Sequence, residues 1–345
     1  MTAAIRPLFP PTIDSTILST FRACPQKAFR QYIEHWKPKS ESVHLVAGKA
    51  FASGLEASRE AFYINGMGQE DAEGAGMVKL IKEYGEFQCP SDSAKSLERM
   101  CGALEFYFAN YPLGADGAEP ITLPGGGRGI EFSFAEPLPV AHPTLGSPIL
   151  YTGRSDMVAH RLGGIYVYDD KTTSSLGASW GRQWEMRSQF TGYIWALAQH
   201  GVKANGALIR GVSILKTKYD TLEISTNRSP YEIERWHDQT VRDIERMKKM
   251  WEEGYWDYNL DGSCTDYGGC PLVQVCKSST PENWLPVNFQ QRVWDPLERK
   301  EVTVAEYEAA WGHVREAGAP EAAGAAGELL VSDEMNNELQ QMMKK

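Results

Sequence analysis

Apolar and aromatic positions recur at helical spacing through the first third of the chain. Over residues 15–36 they fall at Leu18, Phe21, Phe29 and Ile33 after a Ser/Thr-rich start, which predicts a helix. Residues 45–64 predict a second, with Phe51, Leu55 and Phe62 sharing much of one face and Glu56 and Arg59 close together around the cylinder. Small residues over 66–76 read as a loop, and 77–87 and 93–110 as further helices. The last of these places Leu97, Met100, Cys101, Leu104 and Phe108 near helical period, as a core-facing side requires.

The pattern changes around residues 120–128, where Leu-Pro-Gly-Gly-Gly marks a loop. Short runs rich in aromatic and aliphatic residues follow at 129–134, 149–159 and 164–170, each predicting a strand. Helical period returns over 184–200 and stops at Gly201. Residues 207–216 and 221–225 predict two more strands, and 231–253 a long, charged amphipathic helix. The order strand, strand, helix, strand predicts an α/β core with a small mixed sheet flanked by helices. Beyond it, an Ala/Gly/Glu-rich stretch at 317–327 reads as a flexible linker and 329–345 as a short terminal helix. No internal repeat is present.

No uncharged apolar run reaches the length of a membrane span. The first eleven residues hold Pro7, Pro10 and Pro11 and do not read as a secretory signal, so a cytoplasmic location is expected. A net charge of −10 argues against nucleic acid until its distribution is read. Nine acidic residues lie in 301–345, whereas 171–220 holds seven basic residues against Glu185 and Asp220. The stretch 22–49 carries Lys27, Arg30, Lys37 and Lys39 as well. A phosphate-binding face can therefore coexist with an acidic tail.

The segment richest in chemistry is Gly153-Arg-Ser-Asp156 followed by Tyr166-Val-Tyr-Asp169-Asp170-Lys171-Thr172. Alternation along a strand points Asp169 and Lys171 the same way. Asp156 belongs to the preceding strand, a short turn away (about residues 160–164), so antiparallel pairing brings it beside Asp169. Two carboxylates with a lysine suit phosphodiester hydrolysis: hard oxygens hold Mg²⁺, and the lysine offsets charge growing on the phosphate. On the next helix, Gln189 and Tyr193 stand at i and i+4 and share a face on which they can meet phosphates or bases.

Taken in order, these motifs resemble the RecB-like branch of the PD-(D/E)XK nucleases: Gly-x-x-Asp, a strand ending Asp-x-Lys-Thr, then Gln-x-x-x-Tyr, from about residue 150 to 201. The resemblance implies a restriction-endonuclease-like core. It implies Asp156 and Asp169 as ligands of Mg²⁺ or Mn²⁺, helped by the main-chain carbonyl of Asp170. It makes Lys171 the catalytic lysine, with Gln189 and Tyr193 beside it. The family's upstream helix carries Gly and, four residues later, a metal-site His; here Gly48 is followed by Ala52. Glu56, one turn on, is the candidate replacement, His44 lying two turns before. Glu131 matches a strand that often bears a glutamate in the family.

Six cysteines occur, and disulfides are not expected in a cytoplasmic chain. Cys264, Cys270 and Cys276 form a C-x5-C-x5-C cluster with Gly268, Gly269 and Pro271 between them. Three local thiolates call for a fourth, and a four-cysteine site suits zinc or an iron–sulfur cluster. In RecB-like nucleases that bear a cluster, AddB and the CRISPR-associated exonucleases among them, one remote N-terminal cysteine completes three C-terminal ones. The resemblance therefore implies Cys24 as the fourth ligand of a 4Fe-4S clasp, zinc being the alternative occupant. Cys101 reads as core and Cys89 as unrelated.

The expected organisation is a helical region with the first cluster ligand (1–118), a nuclease core (119–260), the cysteine cluster (261–280) and an extension ending in the acidic tail (281–345). The function it implies is a DNA exonuclease of recombination, repair or phage DNA processing, in a bacterial or phage-infected cell, acting on DNA with a free end. No Walker-type phosphate loop is present, so a motor would be a separate helicase or recombination partner. The alternative is a catalytically weak or inactive nuclease fold that binds DNA ends.

Overall fold

The computed structural model describes residues 7–317, apart from 261, 266–268 and 298–299. The expected linker and terminal helix lie outside the described residues. The chain opens with β1 (Thr12–Asp14) and α1 (Ser15–Ala23), whose N-terminus Asp14 caps by accepting from the amides of Thr16 and Ile17, both at 2.8 Å. The single helix expected over 15–36 is broken. Cys24 is extended because the following Pro25 disfavours helical backbone before it. The chain restarts as α2 (Pro25–Ala28), a π-turn over Phe29–Ile33, and β2 (Trp36–Pro38).

Next come α3 (Val43–Arg59), α4 (Gln69–Tyr84) and α5 (Leu97–Asn110). The loop expected at 66–76 is mostly the first half of α4. Its glycines serve packing rather than a turn: a Cβ on Gly76 would lie 2.5 Å from the Gly54 carbonyl of α3.

The strands β3 (Glu119–Pro120), β4 (Ile130–Ala141), β5 (Pro148–Arg161) and β6 (Gly164–Thr173) follow. Leu162 and Gly163, with φ of 50° and 77°, make the tight turn between β5 and β6. Then come α6 (Ala178–Arg182), α7 (Ser188–Gln199), β7 (Gly206–Ile214), β8 (Tyr219–Asn227) and α8 (Pro230–Glu253). Helix α7 starts later than its periodicity suggests; the Trp184 carbonyl before it accepts from the Arg187 amide at 3.3 Å and from Arg228 at 3.1 Å. Helix α8 is delimited by a Ser229/Glu232 capping box and by Gly254 in the left-handed conformation. The chain continues through α9 (Val273–Lys277), α10 (Pro281–Asn288), β9 (Phe289–Gln291), β10 (Val293–Asp295), β11 (Lys300–Val302) and α11 (Val304–Ala317).

The seven-stranded mixed sheet runs β1-β5-β6-β7-β8, with β3 and β4 also paired to β5. Pairing is parallel for β1–β5 and β6–β7 and antiparallel elsewhere. Helices α1, α7 and α8 enclose one core with Phe190, Val167 and Ile209, while α3, α4 and α5 enclose another with Val212 and Ile214. This is the mixed α/β sheet between helices that the periodicities predict. None of the described helices is long and apolar enough to cross a membrane.

Candidate active site

Strand β5 changes partners part-way along one edge. It pairs with β1 through Thr152 and with β6 only from Met157 onward, so Gly153–Asp156 lie in a fork between β1 and β6. Beyond Tyr168, β6 pairs with β7 alone. The amide of Asp170, left without a ladder partner in β5, donates to Asp156 Oδ2 at 2.7 Å. Asp169 is buried in the fork, and Lys171 Nζ ion-pairs with its Oδ2.

Two more carboxylates converge here. Glu131 on β4 has φ of 52°, a left-handed conformation uncommon outside glycine. It ion-pairs with Arg154 Nε at 2.6 Å, and Glu56 on α3 reaches Arg154 NH1 at 3.4 Å. Burial first, then the charges of Asp169 and Asp170, hold the Asp156 carboxyl well above its ordinary range. Burial and Asp156 do the same to Glu131, against the pull of Arg154. Burial alone would lower Lys171, but Asp169 and Asp156 outweigh it and hold the ammonium above its usual range. The fork is thus a crowded set of hard oxygen donors around the Lys171 ammonium and the Arg154 guanidinium.

The profile of the PD-(D/E)XK nuclease superfamily matches residues 15–277. This chain belongs to that superfamily. Among solved structures it is similar to a protein from Eubacterium rectale provisionally described as an exonuclease, at 14% identity and a TM-score of 0.45, over 74% of this chain and 86% of that one. It is also similar to SSO0001, at 14% identity and a TM-score of 0.29, over 70% of this chain and 76% of that one. Likenesses this loose carry no inference about activity. No curated protein matches the chain.

The superfamily motifs acquire physical roles in the fork. Gly153 has no room for a side chain: a Cβ would lie 2.5 Å from Phe134 Cζ and 2.9 Å from Tyr193 Cε1. Its absence lets Tyr193 approach β5, where Tyr193 acts electrostatically on Lys171. Gln189 Nε2 donates to Tyr193 Oη at 2.8 Å, so the two residues expected to share a face of α7 are in contact. Gly48 of α3 lies opposite Thr172, whose Oγ1 is 3.9 Å from the Cβ it lacks, and Ala52 is exposed one turn on.

Asp170 points the other way. Its carboxylate is buried against Arg59 NH2 at 2.6 Å and the Tyr107 hydroxyl at 2.8 Å. Arg210 NH1 joins the same hydroxyl at 3.1 Å, and Arg210 also pairs with Asp116 and Glu223. Asp170 can therefore serve the fork through its main chain, not its side chain. Sequence reading missed this group because Arg59, Tyr107 and Arg210 come from three distant elements. It also missed Arg154, although strand alternation puts that residue on the face of Asp156. Lys95, buried and donating to Thr172 Oγ1 at 3.1 Å, carries no sequence signal.

The cysteines form a second neighbourhood. The Gln26 amide donates to the Asp257 carbonyl at 2.9 Å, and Asn259 Nδ2 and Ser263 Oγ both donate to the Ala23 carbonyl, at 2.7 and 2.5 Å. These bonds pin the segment before Cys264 against Cys24. The Cys270 amide donates to the Cys264 carbonyl at 2.9 Å. Burial raises the Cys276 thiol, and so do, in turn, Cys270, Cys24 and Cys264, so the other three candidate ligands all lie near enough to act on Cys276. All six cysteines are free thiols. Among the described residues no three His, Cys, Asp or Glu side chains stand in a ready-made metal-holding group.

Proposed function

We propose that this chain is a Mg²⁺- or Mn²⁺-dependent deoxyribonuclease that degrades DNA from a free end. The observation that carries the reading is the convergence of Asp156, Asp169 and Lys171 at one fork of the sheet. Burial and, after it, neighbouring carboxylates hold the carboxyls of Asp156 and Glu131 high, and a hard cation among their oxygens favours the charged forms, so the donor set fits such an ion. Asp156 and Asp169, with the Asp170 carbonyl and Glu56, are the groups that would hold it. When bound, the cation supplies Lewis acidity toward the phosphoryl oxygen and a more acidic water.

The chain's own residues do the rest. Lys171, oriented by Asp169, offsets charge gathering on the scissile phosphate. Gln189, held by its hydrogen bond to the buried Tyr193, lines the approach from α7 and meets the substrate strand. Arg154 keeps Glu131 and Glu56 turned toward Asp156.

The four thiols supply a soft donor set at the meeting of two remote segments, which suits a 4Fe-4S cluster, with zinc the lesser candidate. Such a clasp joins Cys24 to the segment after the core and stabilises the fold directly. The setting we infer is recombination, repair or phage DNA processing in the cytoplasm of a bacterial or phage-infected cell, with a separate helicase or recombination partner.

Digestion of end-labelled single- and double-stranded DNA with Mg²⁺ or Mn²⁺ tests the reading. Cleavage from one end, lost with chelator and in Asp169→Asn, is the expected result. The exposed Ala52, where relatives resembled here carry His, favours a second reading of an end-binding protein without catalysis. DNA binding with no cleavage across divalent metals would establish that reading instead.

A further inference from the structure

The long helix α8 carries Arg235, Arg242 and Arg246 on one exposed stripe, at i, i+7 and i+11. At 1.5 Å per residue the stripe spans about 16 Å, and its side chains leave the helix within about 40° of one another. Two cavities open along it. One, of about 280 Å³, lies between α7 and α8 and is lined by Arg22, Arg228 and Arg235. The other, of about 420 Å³, is lined by Arg22, Arg246 and Asn259. Arg22 lines both, so they form one groove from the start of α7 to the segment that precedes Cys264.

The groove is basic on a chain of net charge −10. Arg22, Arg228, Arg235 and Arg246 line it against the carboxylates of Glu232 and Asp257. Glu232 is already engaged by the amide and hydroxyl of Ser229 as the helix cap. Arg22 is held in place by Asp243, at 2.7 Å, which is buried behind the groove. Arg228 is 8% exposed, and its guanidinium donates to neutral oxygens: Thr191 Oγ1 at 2.8 Å, the Asn227 carbonyl at 2.7 Å and the Trp184 carbonyl at 3.1 Å. Burying that charge is costly; the Glu232 carboxylate in the same lining offsets part of the cost, and an anion in the adjoining cavity offsets more.

The groove adjoins the start of α7, the helix that carries Gln189 and Tyr193 to the fork. Arg22 NH1 donates to Ser188 Oγ at 2.7 Å, and Ser188 precedes Gln189, whose side chain contacts Tyr193 beside Lys171. Resting on the nuclease reading, we propose that this groove is a second phosphate-backbone subsite. It holds the nucleic-acid strand several nucleotides from the scissile bond, along α8 toward the cysteine segment. Arginines spaced along one helix face contact phosphates and not base edges, so the hold is independent of sequence.

The test uses the full chain in EDTA, so that nothing is cleaved, and follows binding of a fluorescein-labelled 20-mer by anisotropy across a KCl series. The triple variant Arg235→Ala/Arg242→Ala/Arg246→Ala, all surface positions, is expected to bind about ten- to a hundred-fold more weakly near 0.15 M salt. Its slope of log affinity against log salt should shrink by about 2 to 3, since each phosphate contact contributes roughly 0.7 to 0.9. The Arg→Lys triple should keep most of both. Cleavage of thymidine 5′-(p-nitrophenyl phosphate), too short to reach α8, should be the same in all three proteins. An unchanged slope in the alanine triple, or no binding of the 20-mer by the parent protein, overturns the subsite. If the 20-mer is not cleaved when Mg²⁺ or Mn²⁺ replaces EDTA while the slope still falls, the subsite stands and the nuclease reading fails.

Discussion

The amide of Asp170 donates to Asp156 across 2.7 Å, while the carboxylate of the same residue is gripped by Arg59 from the opposite face of the sheet. One residue therefore ties the floor of the fork to the buried network behind it. Arg59 and Asp170 are both almost wholly buried, with side chains 3% and 1% exposed. Removing one partner of such a pair strands the other charge, at a cost of about 3–5 kcal/mol. Asp170→Ala should lose that much stability in urea unfolding. A loss below about 1 kcal/mol would show that Arg59 finds compensation elsewhere.

Lys171→Ala should slow DNA cleavage by about a hundred- to a thousand-fold, the usual effect of removing one preorganised charge from a developing anion. Rates are compared at saturating Mg²⁺ on protein whose far-UV circular dichroism matches the parent. Retention of more than about a tenth of the rate would remove the lysine from the reaction.

Gly153→Ala places a methyl group 2.5 Å from the Phe134 ring and 2.9 Å from that of Tyr193. Overpacking of this kind costs about 1–3 kcal/mol and pushes Tyr193 away from β5. Thermal melts should show the loss, and cleavage should fall together with stability. An unperturbed melting temperature would contradict the close approach.

If Cys24, Cys264, Cys270 and Cys276 hold one centre, single Cys24→Ser and Cys276→Ser variants should each lose bound iron and sulfide and melt at lower temperature. The double variant should then melt little lower than either single one, because neighbours acting on one centre are not additive. Additive losses would mark them as independent thiols. Brown colour with iron and sulfide supports the cluster, and stoichiometric zinc in colourless protein supports the alternative occupant.

His35 sits in a left-handed conformation, φ 63°, with its ring edge-on to Tyr307 at 5.8 Å. Burial pushes its pKa down to about 4. The unfolded chain, with a histidine near 6.5, binds the proton more readily, so His35 favours folding at neutral pH. That contribution is complete above about pH 6.5 and is lost as the pH falls toward about 4. His35→Asn, which tolerates the same backbone, should flatten this part of the stability profile measured by denaturant unfolding.

Much of the fork was legible in the sequence because its residues are local. Asp169 and Lys171 share a face by strand alternation, and one tight turn separates their strand from Asp156. Local signals misled at two places: Cys24-Pro25 breaks a stretch that is helical by period, and the small residues near Gly76 pack two helices together instead of forming a loop.

The sequence by itself determined the period of each element, the order of the motifs and the donor types at Asp156, Asp169 and Lys171. Only the tertiary structure decided that β5 forks between β1 and β6, that Asp170 finds Arg59 and Tyr107 as its partners, and that Arg154 gathers Glu56 and Glu131 from α3 and β4. The reason is physical. Alternation and helical period act over a few residues, whereas a buried ion pair or a change of strand partner joins segments far apart in the chain and leaves no periodic mark on either.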